Sequence, residues 1–216
     1  MRALQPLRRR AGEARGWLSA RRTLRSGAST APAVAFRPLL LNLLRGCRTL
    51  LDVGCGPMTF LRELPVQTRV GVDAHRPYLE HADRDGIVPL HLDARDLSGV
   101  FVDRSFDAVT LIDVIEHFEE TDALQVLRQV EAIARRICIV FTPRGEFPQE
   151  SFDAYGLGGE QYQQHRSVWD ERKLEAQGYR CIVLAGFHGP WNESFVAAFG
   201  TDAEPRDALV AWKRVD

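Results

Sequence analysis

Residues 50–57 read Leu50-Leu51-Asp52-Val53-Gly54-Cys55-Gly56-Pro57. An apolar run that ends in an acid and turns through Gly-x-Gly predicts a buried strand giving way to a helix across a tight turn. Glycines at such a turn let the backbone approach a ligand closely, and the N–H groups of the following helix start point at it. A nucleotide-type cofactor is the expected occupant.

Outward from this turn, apolar and helical segments alternate: Met58–Leu64 helical, Arg69–Val72 apolar, Pro77–Asp85 helical, then Val88–Leu92 and Phe106–Ile112 apolar. Asp122–Arg136 shows helical periodicity through Leu124, Leu127, Val130 and Ile133, and Ile137–Phe141 is a β-branched run. The alternation predicts βαβ units and a parallel sheet. Residues 144–168 break it, being rich in Gly, aromatics and Gln; a helix at about 169–177 ends at Gly178, and strands follow at about 179–187 and 207–214. Upstream, Pro38–Arg45 reads as an apolar helix stopped by Gly46. The small residues 26–33 (SGASTAPA) read as a hinge. In front of it Leu4, Leu7, Ala11, Ala14 and Leu18 step by three or four, the stripe of an amphipathic helix with Arg8, Arg9, Arg15 and Arg22 elsewhere. The expected organisation is a basic helical segment with hinge over 1–33 and one domain over 34–216, with an insertion at about 144–168.

At 216 residues, 45% hydrophobic and 26% charged, the chain is long enough for one buried core and excludes a disordered or fibrous protein. Its longest nearly apolar run, Pro38–Leu44, falls far short of the ~20 residues of a membrane span, so no transmembrane segment is expected. Residues 1–30 hold eight Arg against Glu13 alone, about +7, which leaves about −8 for the rest of a chain of net charge −1. An acidic body argues against a nucleic-acid surface, which needs a basic face to displace counterions. The basic head is expected to pack its stripe on the body; a role at a partner, a membrane surface or the cofactor, or as a transit peptide, is the alternative. The four cysteines are scattered with no C-x-x-C pair, which suits a reducing cytoplasm.

The ligand of the glycine turn is narrowed by acids. A dinucleotide fingerprint would place its third glycine at Thr59, and Asp52 would repel a pyrophosphate. Asp73 stands 19 residues after Gly54, where a carboxylate accepts two ribose hydroxyls. With Asp93 and Asp113 after the next strands, four carboxylates would line the carboxyl edge of one sheet, the crevice where open α/β sheets bind ligands. Singly, Asp52 could cap a turn, Gly54 and Gly56 could supply positive φ, and Asp93 could be an N-cap; four together are not a structural requirement. Four acids and no Lys suit a cofactor with positive charge, ribose and no phosphate. S-adenosylmethionine has all three properties.

The successive segments LLDVGCGP, VGVD (70–73), LDA (92–94) and SFDAVTLIDVIEH (105–117) resemble, in order and spacing, the motifs of class I S-adenosylmethionine-dependent methyltransferases. The resemblance spans roughly residues 35–187. It implies an α/β, Rossmann-like, seven-stranded and mostly parallel sheet with helices on both faces and an antiparallel last strand. It also implies roles: Asp52, Gly54 and Gly56 around the methionine moiety, Asp73 on the ribose, Asp93 and Ala94 at the adenine, and Ile112 with Asp113 beside the ring or methionyl group. The third glycine often present in the family falls here on Met58.

Methyl transfer is an in-line displacement that positioning in a dry site accelerates, and a hydroxyl acceptor benefits from a general base. His117 and His165 are the candidates. Asp113, Glu116 and His117 resemble metal ligands, but no further ligand stands at a recognisable spacing, so no metal is assigned. Phe147, Phe152, Tyr155, Tyr162 and Trp169 with Gly145, Gly156, Gly158 and Gly159 read equally as a flexible lid or as a self-packed loop; Phe187–Trp191 is read as an ordinary turn between two strands, with a second loop reaching the same mouth as the alternative. The expected activity is methylation of an oxygen or nitrogen of a small-molecule acceptor, a sugar, lipid or secondary metabolite. The alternatives are a nicotinamide-dependent oxidoreductase and a non-catalytic scaffold docking through its Arg-rich N-terminus; the chain has no N-P-P-Y-type motif for base amines.

Overall fold

The computed structural model describes residues 5–83, 85–150 and 152–215. In chain order its elements are α1 (Gln5–Ser26), β1 (Thr30–Pro32), α2 (Phe36–Leu43), β2 (Thr49–Val53), α3 (Thr59–Arg62), β3 (Thr68–Asp73), α4 (Arg76–His81), β4 (Ile87–His91), β5 (Phe106–Ile112) and α5 (Glu120–Ile133). They continue with β6 (Ala134–Pro143), α6 (Glu160–Gln163), α7 (Glu171–Ala176), β7 (Arg180–His188), α8 (Glu193–Phe199) and β8 (Arg206–Arg214). Short 3-10 turns lie at Ala33–Ala35, Ala94–Gly99 and Ile115–His117.

All eight strands form one sheet, in the order β1-β7-β8-β6-β5-β2-β3-β4. Leu50, Leu51 and Val53 expose no surface because β2 lies between β3 and β5, with hydrophobic clusters on both faces of the sheet. That position explains why its sequence is apolar throughout rather than alternating. β8 inserts between β6 and β7, antiparallel to both, and every other pairing is parallel.

Eight strands stand where seven are expected. The extra strand is β1, inside the stretch read as a hinge, and it pairs in parallel with Val183–Ala185 of β7. Three residues are too few for a period, and Pro32, which has no N–H, suits an edge position. The head differs too. Leu4 lies outside the described residues, while Ala14 is exposed and Leu18 is 71% exposed. α1 instead buries Gly16, Ala20 and Thr23. Small residues let the helix come close, since a Cβ on Gly16 would sit 2.4 Å from the Val34 carbonyl oxygen.

Two further differences bear on the site. α8 is absent from the sequence reading, which treats Phe187–Trp191 as a plain turn. Asn192 caps it, its Oδ1 accepting the Phe195 N–H (3.1 Å), and Phe195 is fully buried. Helix α5 ends at Ile133, and Ala134–Arg136, read as its last residues, begin β6. Among the described residues no helix is long and apolar enough to cross a membrane.

Candidate active site

The carboxyl ends of β2, β3, β4 and β5 deliver Asp52, Asp73, Asp93 and Asp113 to one cavity of about 1080 Å³. Gly54, Gly56, Ala94, Ile112, His117 and His165 line it as well, so every residue given a cofactor or catalytic role in the sequence lines the same space, whereas Trp169 and the loop glycines Gly145, Gly156, Gly158 and Gly159 do not.

The glycine turn is folded back on β3: the Gly54 and Cys55 N–H groups both donate to the Val72 carbonyl (2.7 and 3.0 Å). Gly54 and Gly56 have φ of +71° and +51°, and a Cβ on Gly54 would lie 2.5 Å from Val114 Cγ2. Met58, at the position of the third glycine, adopts the same left-handed region with φ +59°. The backbone path is therefore that of a glycine, held at a cost of about 1–2 kcal/mol by a side chain with no exposed surface. Asp113 shares this strain (φ +54°) at the end of β5, its N–H donating to the Phe141 carbonyl.

The two buried acids differ in their partners. Asp73 Oδ2 accepts the Gly56 N–H (2.8 Å) and Oδ1 the His75 N–H (2.7 Å), so the ribose-contact candidate also pins the glycine turn. Burial still raises its pKa, with those two bonds opposing the rise. Asp52 accepts only the Thr110 hydroxyl (2.6 Å), and burial lifts its pKa to about 7 despite that bond. Asp93 combines both of its readings. It caps the turn that begins at Ala94 by accepting the Arg95 N–H, and its carboxylate holds the Arg95 guanidinium, which lowers its pKa.

His117 and His165, 48 residues apart in sequence, come together with ring centroids 5.0 Å apart. Burial lowers both pKa values, His117 to about 4, so both rings are neutral at physiological pH. His117 Nδ1 faces the Gln164 carbonyl (3.3 Å) and His165 Nδ1 the Phe147 carbonyl (2.6 Å). A carbonyl only accepts, so each Nδ1 carries the proton and each Nε2 presents a lone pair.

The 144–168 segment is packed down as well as draped over the cavity. Asp153 is its anchor, accepting from the Tyr78 hydroxyl and from the N–H groups of Tyr155, Leu157, Gly158 and Gly159. His75 Nε2 donates to the Leu157 carbonyl (2.9 Å), and Tyr155 lies over Gly56, its hydroxyl 3.2 Å from where a Cβ would be. Asp153→Ala is expected to free this turn: trypsin-independent proteases should cleave within 154–159 at least about tenfold faster, because local opening sets the rate, while global stability changes little. An unchanged cleavage rate in limited proteolysis would mean that the roof is held by its aromatic contacts instead.

His188 belongs to the Phe187–Trp191 segment, whose less favoured reading, a loop reaching the cavity mouth, matches its place on the wall. Its Nδ1 takes the Asn192 side-chain amide (3.4 Å), whose orientation is settled because Asn192 Oδ1 already accepts from Ser194 and Phe195. The Nε2–H thus stands without an acceptor in a ring that is 5% exposed, packed among Phe141, Phe147 and Phe187 on the cavity wall. His188 closes β7 opposite Arg206 of β8, and Asn192, the cap of α8, orients its ring.

Residues 51–147 match the family model described as a methyltransferase domain. No curated protein matches the chain by sequence. Among solved structures, an S-adenosylmethionine-dependent methyltransferase from Archaeoglobus fulgidus aligns with TM-score 0.56 at 18% identity, over 84% of this chain and 92% of that one. A methyltransferase from Thermotoga maritima, described as a possible histamine N-methyltransferase, gives 0.53 at 16% identity, over 99% and 96%. Magnesium protoporphyrin IX methyltransferase from Synechocystis PCC 6803, with S-adenosylhomocysteine bound, gives 0.53 at 13% identity, over 84% and 83%. At these identities the likeness is one of fold.

Proposed function

We propose that this chain, a class I S-adenosylmethionine-dependent methyltransferase by its domain at residues 51–147, methylates an oxygen or nitrogen of a small-molecule acceptor enclosed beside the cofactor. The observation that carries this reading is the single cavity. Its volume of about 1080 Å³ slightly exceeds the ~300–1,000 Å³ of a one-ligand pocket, and its two ends differ in chemistry. One end is the acidic strand edge; the other is walled by Phe141, Phe147, Phe187, His165 and His188.

At the acidic end, Asp73 would take the ribose hydroxyls, Asp93 and Ala94 the adenine, and Asp52 and Asp113 the cationic methionyl part. The cofactor, when bound, supplies the electrophilic methyl on a sulfonium. At the aromatic end the neutral His117 and His165 would accept a proton from the acceptor, and the His188 Nε2–H would donate to an acceptor oxygen. Tyr155 and the loop anchored by Asp153 exclude water from the junction, which favours near-attack geometry.

Thermal unfolding with S-adenosylhomocysteine tests the cofactor half. At about 100 times its Kd the ligand adds roughly 2.7 kcal/mol, a rise on the order of 5–10 °C for a chain of this size. NAD at the same concentration should leave the transition in place. A shift with NAD alone would overturn the reading in favour of an oxidoreductase. Transfer of labelled methyl groups to a panel of hydroxylated and amine acceptors then tests the acceptor half; binding without any turnover would favour the scaffold.

A further inference from the structure

The acceptor half holds a side-chain cluster that a general base alone does not require. The ligating atoms of Glu116, His117 and His165 all lie within 4.8 Å of one another. Each histidine has its Nδ1 proton committed to a backbone carbonyl, leaving Nε2 as a lone pair. This is the outer hydrogen-bond arrangement that fixes metal-ligating imidazoles. Glu116 is 3% exposed; its Oε2 accepts the Thr142 hydroxyl (2.9 Å), and its Oε1 has no donor. The neighbour of Glu116 within the cavity wall is the Asp113 carboxyl, itself an acceptor. The buried Glu116 carboxyl and two imidazole lone pairs thus share a space with the exposed Asp113 carboxyl, while the Arg166 guanidinium on the same cavity wall donates to the Gln161 carbonyl.

We propose that Glu116, His117 and His165 bind one first-row divalent transition-metal ion, and that this ion takes a hydroxyl oxygen of the acceptor as a further ligand. The proposal rests on the methyltransferase reading and narrows it to oxygen acceptors. Two imidazoles and a carboxylate select Zn²⁺, Mn²⁺, Fe²⁺ or Co²⁺ over Mg²⁺ and Ca²⁺, which prefer oxygen donors. Ligand distances of about 2.0–2.2 Å bring the donor atoms within ~3–3.5 Å of one another, so binding draws the three side chains together. With both histidines as ligands in place of proton acceptors, coordination acidifies the hydroxyl, which loses its proton to solvent as the acceptor binds. The oxygen then forms the C–O bond to the methyl carbon as the C–S bond breaks, and the sulfur keeps the electron pair to become a neutral thioether. The metal's charge is unchanged. The sequence hides this site because His165 joins from a loop 48 residues beyond His117, at no motif spacing.

Titration of the metal-free protein with Co²⁺, followed by its visible absorption and by calorimetry, tests the proposal without any acceptor. One equivalent per chain should bind, with Mg²⁺ failing to compete. His165→Ala and Glu116→Gln should each weaken Co²⁺ by more than the ~10–100-fold that loss of an outer partner costs. His81→Ala, an exposed histidine outside the cavity, should bind as the unaltered protein does. S-adenosylhomocysteine binding, measured on every variant, reports that it is folded and tests the cofactor reading separately. Retained S-adenosylhomocysteine binding with no Co²⁺ site, or with a Co²⁺ site indifferent to His165→Ala and Glu116→Gln, would overturn the metal and leave a proton shared by the two carboxyls in its place.

Discussion

Asp73→Ala is expected to weaken S-adenosylhomocysteine binding by at least about a hundredfold while lowering stability by about 2–4 kcal/mol. Two losses combine. The carboxylate that would accept the ribose hydroxyls disappears, and charge-assisted hydrogen bonds of this kind are worth about 1.5–3 kcal/mol. The Gly56 and His75 N–H groups, which donate to Asp73 at 2.8 and 2.7 Å, also lose their acceptor in a buried site, at about 1–3 kcal/mol each when no water replaces it. The glycine turn then loses one of its ties to β3, keeping the Gly54 and Cys55 bonds to Val72, as well as its ligand contact. Calorimetry with S-adenosylhomocysteine and thermal unfolding of the same samples separate the two effects. Binding within about threefold of the unaltered protein would show that Asp73 serves the turn and not the cofactor.

Asp52→Asn is expected to stabilise the ligand-free protein at pH 8 and to abolish cofactor binding. In the fold the Asp52 pKa stands at about 7 against an ordinary 3.8, chiefly because burial penalises the charge. A folded-state pKa above the unfolded one means that the folded protein holds the extra proton between about pH 4 and pH 7. Stability contributed by the neutral acid is therefore full below about pH 4 and lost as pH rises to 7 and beyond, to a ceiling of about 4 kcal/mol. Asn removes the charge and keeps an oxygen for the Thr110 hydroxyl. The melting temperatures of the two proteins should coincide near pH 4 and diverge by up to about 10 °C at pH 8, with the variant higher. A cationic ligand stabilises the ionised acid, so it should narrow the gap for the unaltered protein and do nothing for the variant. A pH-independent difference, or a less stable variant at pH 8, would show that Asp52 already has its counter-charge within the fold.

The acid-lined edge was legible because each element of it is local. A strand has one carboxyl end, and in a parallel sheet all those ends point the same way, so an acid at each end of four apolar runs predicts four acids in one crevice. The left-handed turn at Met58 was not legible, since Met has no preference for it; the buried packing of its side chain holds it there. Nor was the exposure of Ala14 and Leu18. Periodicity tells which residues share a face, whereas the small residues Gly16 and Ala20 decided which face approaches the body.

The sequence by itself determined the β/α alternation, the glycine turn, the positions of Asp52, Asp73, Asp93 and Asp113, and the candidacy of His117 and His165, because patterns of period and spacing act within a few tens of residues. Only the tertiary structure decided that a three-residue strand extends the sheet at Thr30–Pro32, that Asp73 ties the Gly56 loop, and that Asp153 anchors the roof. It alone brought Glu116, His117 and His165 within reach of one ligand and set His188, its Nε2–H without an acceptor, in the wall of the same cavity. Such contacts join segments far apart in sequence, and their partners are selected by packing and by the need to satisfy buried polar groups, neither of which leaves a fixed spacing to read.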